Sequence, residues 1–211
     1  FVDDASVINE TNGMIPDEIL IRYGALEVKL DKDEVLFDEG DSCLHYFQVQ
    51  AGAIKMINYS EDGQEFIQGV FGPGESFGEP PLFDGFPYPS SAIATTDSAV
   101  IKLRKERFID LLRDHFEIHL QFSAVFAKRL RYKSMMLREL SSYAPEHRIM
   151  TLIDYFRDKA GTTSSGAFLV PFTRQQLADM TGLRVETVIR TISKLNKEGR
   201  ITLVKHKIYS P

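Results

Sequence analysis

The sequence has few of the features that mark exported, membrane-bound or disulfide-linked proteins. Its single cysteine, Cys43, excludes an internal disulfide and an iron–sulfur cluster held by several thiolates of one chain. We expect it to be a small, partly buried residue in a strand. No apolar run approaches the roughly 18 residues of a membrane span, and no export leader opens the chain. We therefore expect a cytoplasmic protein and, because Phe1 stands in place of Met, the removal of an upstream segment.

Basic residues are scarce in the first half of the chain. Residues 1–105 carry 7 basic and 19 acidic side chains, and residues 106–140 carry 7 and 5. Residues 141–211 carry 11 basic and 6 acidic side chains. This asymmetry indicates two modules, of which the second attracts a polyanion, although charge alone would also fit an ordinary solvated face.

Short strands separated by turn residues are predicted from about Glu27 to Leu103. The segments between them are rich in Gly, Pro, Asp and Ser, and SEDG at 60–63 has the composition of a hairpin turn. Strands at this spacing predict an antiparallel β-sandwich or jelly-roll. The predicted strands are 35–37, 46–49, 53–59, 65–71 and 98–103.

Residues 106–140 contain neither glycine nor proline, which predicts one helix of roughly 50 Å at 1.5 Å per residue. A helix this long cannot bury its apolar stripe on a small sandwich, so a self-paired coiled coil is predicted. The alternative is a helix that lies along its own domain. The apolar positions recur at a spacing of three and four and are Ile118, Phe122, Val125, Phe126, Leu130, Met136, Leu137 and Leu140.

A winged helix-turn-helix is predicted over residues 173–209, after a helical stretch at 147–156 and a short strand at 168–172. Thr173 and Gln176 have the spacing of a capping box at the start of its first helix. The two helices of such a motif must bury a shared apolar face. That inner face is predicted to consist of Leu177, Ala178, Leu183, Val188, Ile192 and Leu195.

Gly182 permits the positive φ of a tight turn, and a second helix is predicted from Val185 to about Glu198, followed by the wing. Glu186 and Arg190 lie at i and i+4 and project together. On an ordinary surface this pair is a helix salt bridge. In a helix-turn-helix the same groups reach base edges, because Arg donates to guanine O6 and N7 and Glu accepts from the cytosine N4 amine. Candidate phosphate contacts are Arg174, Arg184, Lys194, Lys197, Lys205 and Lys207.

These motifs resemble the Crp/Fnr family of bacterial transcription regulators over nearly the whole chain. FGE and LF followed by SSA resemble the family's cyclic-nucleotide-binding fold, and SAVFAKRLR resembles its dimer helix. TRQQLADMTGLRVETVIR resembles its helix-turn-helix most specifically. The resemblance implies a homodimer whose two recognition helices read an inverted-repeat DNA site with half-sites ~34 Å apart. A ligand in the first domain would control their spacing, and RNA polymerase would be a partner of an activator.

The resemblance also implies particular DNA contacts. Glu186 and Arg190 match the family's base-reading Glu and Arg, whereas Val185 stands where cyclic-AMP-responsive members often have Arg. VETVIR is closer to the VETISR form of the oxygen-sensing branch, which implies a TTGA-like half-site. Arg184 replaces the usual Ser or Thr helix cap, so a phosphate contact is its expected role. The predicted DNA-binding residues are Thr173, Arg174, Gln175, Arg184, Val185, Glu186, Arg190 and Lys194.

The family's ligand turn keeps its outline but loses part of its anion chemistry. Gly78, Glu79 and Ser91 match, but Ser90 stands at the position of the phosphate-binding Arg. The two prolines that follow Glu79 carry no N–H. At the dimer-helix positions that would face adenine, Ser134 matches the family. Lys133 departs from it and is either a replacement cation or an ordinary solvated side chain. The predicted residues of this degenerate pocket are Gly78, Glu79, Ser90, Ser91, Lys133 and Ser134.

We therefore expect weak or no cyclic AMP binding and leave the small-molecule effector unidentified. None of the five histidines is distinguished as a haem ligand, and no metal site is predicted. No Ser/His/Asp set or paired-carboxylate motif indicates an enzyme.

The sequence thus predicts an α+β protein with an antiparallel β-sandwich of the cyclic-nucleotide-binding type at 1–105. A dimerisation helix follows at 106–141 and a winged helix-turn-helix at 142–211. The predicted function is sequence-specific DNA binding by a homodimeric transcription regulator. The alternative is a cyclic-nucleotide-binding regulatory protein that acts on a protein partner rather than on DNA.

Overall fold

The computed structural model describes residues 13–211 apart from 61, 62, 64, 143 and 161–166, and for residues 139–142 it describes the helical backbone alone. The predicted SEDG turn and the side chain of Leu140 thus lie partly or wholly outside the described residues. The chain forms two compact units, Phe1–Ala127 and Lys128–Pro211.

The first unit is built mainly of strands. Its elements are α1 (Asp17–Arg22), β1 (Leu26–Leu30), β2 (Val35–Phe37), β3 (His45–Ala51), β4 (Ile54–Tyr59), β5 (Glu65–Phe71), β6 (Ser76–Phe77), α2 (Pro80–Asp84), β7 (Ser91–Ala94), β8 (Ser98–Arg104), α3 (Lys105–Asp114) and the first part of α4 (Phe116–Ser142). The strands form two antiparallel four-stranded sheets, with the strand orders β1-β8-β3-β6 and β2-β7-β4-β5, which confirms the predicted antiparallel architecture.

Aromatic rings fill the space between the two sheets. Phe37 of β2 stacks on Tyr88 at 3.7 Å between ring centroids and on Phe47 of β3 at 5.7 Å. Phe77 of β6 lies 5.7 Å from Phe47. All four side chains are buried, and rings of this size contribute much of the apolar area that a small core buries. The alternation of inward and outward residues along each strand places these rings together.

A second aromatic cluster covers the opposite face of β3. Tyr46 stacks on Phe108 of α3 at 4.7 Å, and Phe108 meets Phe122 of α4 edge-on at 5.3 Å. These three side chains are at most 1% exposed. Successive strand residues point to opposite faces, so β3 packs against the other sheet through Phe47 and against the helices through Tyr46.

The prediction of one uninterrupted helix over 106–140 was wrong. The structure has two helices, α3 and α4, with His115 between them at φ −124° and ψ 78°. Tyr23 contacts this junction, since its hydroxyl donates to Asp114 Oδ2 at 2.7 Å and its ring meets His115 edge-on at 5.9 Å. These contacts join residues far apart in the chain, so local composition does not reveal them. None of the helices in the described parts of the chain is long and apolar enough to cross a membrane.

The second unit contains the predicted helix-turn-helix and wing. The three strands form one antiparallel sheet in the order β10-β11-β9, and β10 and β11 are the predicted wing. After the remainder of α4, the elements are α5 (Pro145–Lys159), β9 (Phe168–Leu169), α6 (Arg174–Thr181), α7 (Val185–Lys197), β10 (Thr202–Val204) and β11 (Lys207–Ser210).

The two helices of the motif begin differently. Both bonds of the predicted capping box at α6 are present: Gln176 N donates to Thr173 Oγ1 at 3.1 Å, and Thr173 N donates to Gln176 Oε1 at 2.8 Å. Gly182 ends α6 with a φ of 63°. Arg184 is the N-cap residue of α7, and its side chain makes no capping bond. The start of α7 therefore depends on tertiary packing more than on local capping.

We predict that alanine at Gly78 destabilises the first unit more than alanine at Gly85. Both glycines have left-handed backbones, with φ of 70° and 80°, a conformation that costs an L-residue roughly 1–2 kcal/mol. A Cβ at Gly78 would also lie 3.1 Å from Phe37 Cζ and 3.3 Å from Tyr88 Cε1, whereas one at Gly85 meets nothing within 4 Å. Overpacking should add about 1–3 kcal/mol to the loss for Gly78→Ala. Urea unfolding followed by circular dichroism measures both variants, and equal losses would contradict tight packing around Gly78.

Candidate DNA-binding face and effector pocket

One face of α7 is buried and the opposite face is open to solvent. Val188, Ile192 and Leu195 are at most 1% exposed, as expected for the inner face of a helix-turn-helix. Glu186 and Arg190 are both exposed. With an apolar stripe at this spacing, the helical period directs the intervening polar residues outward.

The polar groups on the exposed face of α7 are not paired with one another. Neither Glu186 nor Arg190 forms an ion pair or a side-chain hydrogen bond with any residue that the structure describes. The salt-bridge interpretation of this pair therefore does not describe the folded chain. Arg184 is also exposed, so three charged side chains are available near the first turns of α7. Val185, at the first position of the helix, is half-buried.

Arg174 contacts the wing from the start of α6. Its Nη1 donates to the carbonyl oxygen of His206 at 2.7 Å. Lys205 and His206 form the turn between β10 and β11 with positive φ angles of 46° and 66°, which are uncommon for residues other than glycine. Arg174 thus fixes the position of the wing turn, in addition to its predicted phosphate contact. Lys205, in that turn, and Lys207, directly after it, are both exposed.

Three other predicted DNA-binding side chains have partners within the second unit. Lys194 Nζ lies 2.6 Å from Glu146 Oε1, and its hydrogen bond lowers the pKa of the Glu146 carboxyl. Gln175 Nε2 donates to Asp179 Oδ1 at 2.7 Å. The hydroxyl of Thr173 serves the capping box. Binding of DNA through Lys194 or Gln175 would have to exchange these internal contacts for contacts to phosphate.

The predicted effector turn is buried around Gly78 and Glu79. Gly78 lies against the Phe37–Tyr88 stack, and Glu79, which is 0% exposed, is the N-cap residue of α2. The prolines that follow it begin this short helix, where proline is favoured because the first helical N–H groups have no intrahelical partner. The prolines therefore have a structural role, and the missing N–H donors are part of the helix start.

Ser91 is occupied by contacts with the turn after β2. Its hydroxyl accepts from Glu39 N at 2.9 Å and donates to Asp38 Oδ1 at 3.4 Å. Asn58 Nδ2 donates to Glu39 Oε2 at 2.9 Å and to the carbonyl of Pro89 at 2.7 Å. The Asp38 carboxylate thus accepts the hydrogen bond that the Ser91 hydroxyl would otherwise donate to an anion, and the Glu39 carboxylate, which accepts from Asn58, adds a second negative charge to the same turn. Asp38 and Glu39 belong to the turn segment DEGDS at 38–42, and only their proximity to Ser91 in the fold indicates a functional effect.

Ser90 is buried at 3% exposure. Cys43 is also buried, but in the loop before β3, which corrects its predicted location in a strand. Its Sγ lies 3.7 Å from the carbonyl oxygen of Gly78, and burial raises the pKa of the thiol. A thiol with a raised pKa is a poor nucleophile at neutral pH, so Cys43 packs beneath the ligand turn rather than acting as a reactive group.

Lys133 and Ser134 lie on the part of α4 that belongs to the second unit. Both are exposed, and so are Leu130 and Leu137, each at 69%. Residues three, four and seven apart share one side of a helix. Lys133 and Ser134, both predicted pocket residues, therefore lie on the same face of α4 as Leu130 and Leu137. Among the described residues no group of His, Cys, Asp and Glu is arranged to hold a metal ion.

A β-sandwich of this topology followed by a long helix and a winged helix-turn-helix is the architecture of a class of DNA-binding regulators with an N-terminal β-domain. Two family models match: the cyclic nucleotide-binding domain over residues 27–115 and the Crp-like helix-turn-helix domain over residues 147–210. The chain belongs to the Crp/Fnr family of DNA-binding transcription regulators, and it is not an enzyme.

Individual relatives agree with this assignment. The chain is 27% identical to the "Cyclic AMP receptor protein" of Thermus thermophilus, over 91% of this chain and 87% of that protein. It is 29% identical to the "Transcriptional activator protein anr" of Pseudomonas aeruginosa, over 88% of this chain and 75% of that protein. The solved structure of FixK2 from Bradyrhizobium japonicum has the same fold, with a TM-score of 0.75 at 23% identity over 88% of this chain and 92% of that one.

We predict weak or no binding of cyclic AMP to the wild-type protein, because its phosphate would meet Asp38 and Glu39 without a cation at position 90. A double variant, Ser90→Arg with Glu39→Gln, adds a cation and removes one carboxylate. A charge-assisted hydrogen bond contributes roughly 1.5–3 kcal/mol, so this variant should bind more tightly than the wild type. Calorimetric titration measures both affinities, and a micromolar or tighter dissociation constant for the wild type would overturn the prediction.

Proposed function

We propose that the protein is a homodimeric transcription regulator of the bacterial cytoplasm that reads an inverted-repeat DNA site with the α7 helix of each protomer. The observation that carries this proposal is the exposed face of α7, on which Glu186 and Arg190 have no partner among the described side chains. Because the inner face is buried, α7 is held in one orientation, and both side chains project from the same exposed side of the helix. The excess of basic residues over 141–211 supplies the long-range attraction to DNA.

The chemistry of α7 favours a half-site that contains a G·C pair. Arg190 can donate bidentately to guanine O6 and N7, and Glu186 can accept from the N4 amine of a cytosine. Because the two side chains are separated by one helical turn, they would contact adjacent positions. A TTGA-like half-site, whose complementary strand reads TCAA, contains such a G·C pair next to A·T pairs. Phosphate contacts from Arg184, Lys197 and the wing lysines would set the register.

The exposed face of α4 supports the homodimer. Leu130 and Leu137 are separated by seven residues and are each 69% exposed, which leaves two large apolar side chains in water on one side of the helix. A second copy of α4 would bury both, in the manner of a coiled-coil seam with a seven-residue repeat. Lys133 and Ser134 would then lie at or beside the seam. Two-fold symmetry of the protein would be matched by the symmetry of an inverted-repeat site.

The residues around Ser91 argue against an anionic effector. One relative is named as a cyclic AMP receptor protein, but in this chain Asp38 and Glu39 occupy the surroundings of Ser91. We propose that cyclic AMP is not the physiological effector and that any ligand of this pocket is neutral or cationic. Another relative is named as a transcriptional activator. Activation by this chain would make RNA polymerase a partner.

The DNA-binding proposal predicts sequence-dependent and salt-dependent binding. After selection of a preferred duplex from a random pool, Arg190→Ala should lose roughly 1–3 kcal/mol of discrimination at one guanine, while binding to unrelated duplexes changes little. Fluorescence anisotropy at two salt concentrations measures both quantities. Affinity should fall as salt rises, because bound phosphates release counterions.

Lys197→Ala is the matched control for Arg190→Ala, since Lys197 is an exposed cation in the last turn of α7. It should weaken binding to all sequences about equally and reduce the salt dependence by about one ion. Equal losses on every sequence for Arg190→Ala would refute its base-reading role. Absence of DNA binding at low salt would refute the proposed function itself.

The dimer proposal predicts that Leu130→Asp combined with Leu137→Asp yields a monomer. Each wild-type leucine should contribute roughly 1.5–3 kcal/mol when buried at the seam, and the charged replacements cannot be buried there without partners. Sedimentation equilibrium should show a dimer of the 24.0 kDa chain for the wild type and a monomer for the variant. Lys128→Asp is the control, because exposed Lys128 lies on the opposite side of α4 and its change should leave the dimer intact. A wild-type monomer at micromolar concentration would overturn the proposal.

A further inference from the structure

The exposed face of α7 carries one large apolar side chain, Ile189, which has no part in the base contacts proposed for Glu186 and Arg190. Ile189 is 49% exposed, whereas Val188 and Ile192 on the same helix are at most 1% exposed. The helical period of about 100° per residue places Ile189 roughly 60° around the axis from Glu186. Ile192 is equally three residues from Ile189, so Ile189 lies between the buried face and the two charged residues, with about half of it exposed to solvent.

Val185 extends this apolar feature toward the start of the helix. It lies four residues before Ile189, and residues at i and i+4 are neighbours on a helix surface. Val185 is half-buried, so Ile189 is the more accessible of the two. Together they form a short apolar strip, Val185–Ile189, along one edge of the Glu186–Arg190 pair. Ser193, four residues after Ile189, is an exposed neighbour of this strip.

The chemistry of the major groove limits what such a strip can recognise. Isoleucine has no donor or acceptor, so it cannot read the polar edge of any base. The one apolar group that base pairs present in the major groove is the C5-methyl of thymine. Isoleucine is also stiff at χ1 in a helix, so its methyl groups are held in one orientation before DNA binds.

We infer that Ile189 is a specificity-determining residue that selects a thymine in each half-site by contact with its 5-methyl group. This inference rests on the proposed DNA-binding function and deepens it. Glu186 and Arg190 read a G·C pair through hydrogen bonds, and Ile189 reads an adjacent A·T pair through apolar contact.

Replacement of thymine by deoxyuridine tests the contact, because it removes the 5-methyl group and keeps every hydrogen-bonding group of the base. Each thymine of the selected half-site is replaced in turn, and the dissociation constants of the wild type and of Ile189→Ala are measured by fluorescence anisotropy. At one position the replacement should weaken wild-type binding roughly 4-fold, the factor for one buried methyl-sized group. The Ile189→Ala variant should bind the thymine and deoxyuridine duplexes equally well at that position.

Two further variants serve as controls. Ile189→Val keeps a branched apolar side chain and should retain most of the thymine preference. Ser193→Ala changes an exposed neighbour on the same face and should leave the preference unchanged. Circular dichroism would show that each variant folds, which is expected because Ile189 does not belong to the buried face.

The outcomes separate this inference from the proposed function. Failure of the wild type to bind any duplex would refute DNA binding and the inference with it. Sequence-specific binding in which no thymine-to-deoxyuridine replacement distinguishes the wild type from Ile189→Ala would overturn the role of Ile189 alone. In that outcome Ile189 is an ordinary exposed side chain, and the roles of Glu186 and Arg190 stand.

Discussion

The packing of α7 against the rest of its unit is the interaction on which the DNA-binding face depends. Leu177 and Ala178 of α6 are 0% exposed, as are Val188 and Leu195 of α7. Because Arg184 provides no side-chain cap, burial of this apolar face supplies most of what holds α7 in place. A helix has one orientation in which its apolar stripe is buried, so the same packing decides which residues face outward. The charged pair and Ile189 are presented to solvent as a consequence.

In the first unit, packing and charge around Gly78 and Ser91 likewise determine the surroundings that a ligand would meet. The Phe37 and Tyr88 rings, whose centroids are 3.7 Å apart, lie directly against Gly78. The ligand turn is therefore tightly packed against two aromatic side chains. Burial raises the pKa of the Tyr88 phenol well above its ordinary value, as expected for a hydroxyl enclosed in an apolar ring stack. The negative charge around Ser91 comes from the neighbouring turn, where Asp38 and Glu39 are held by hydrogen bonds. The turn therefore retains the family outline, and the carboxylates of Asp38 and Glu39 belong to the segment that contacts Ser91.

Much of the architecture follows from local patterns in the sequence. The capping box at Thr173, the turn at Gly182 and the inner face of α7 each depend on residues a few positions apart, and the structure confirms all three. The alternating strands from β3 to β5 are equally local. By contrast, β6 and β7 contain only Ser76–Phe77 and Ser91–Ala94, and strands this short pair only because longer neighbours such as β3 and β4 are already in place. The break at His115 was missed for a similar reason, since Tyr23 contacts it from a distant part of the chain.

The candidate sites also combine features that local sequence predicts with contacts that only the folded chain creates. The sequence alone determined the two-module organisation, the helix-turn-helix and the identity of Glu186 and Arg190 as base-reading candidates, because helical periodicity and turn chemistry act over a few residues. Only the tertiary structure decided which of the predicted contacts are already engaged. Arg174 binds the wing carbonyl, Lys194 binds Glu146, and Ser91 binds the turn at Asp38. Each of these partners is many positions away in the chain, and hydrogen bonds and ion pairs act over a few ångströms of space, a proximity that is created only when the chain folds.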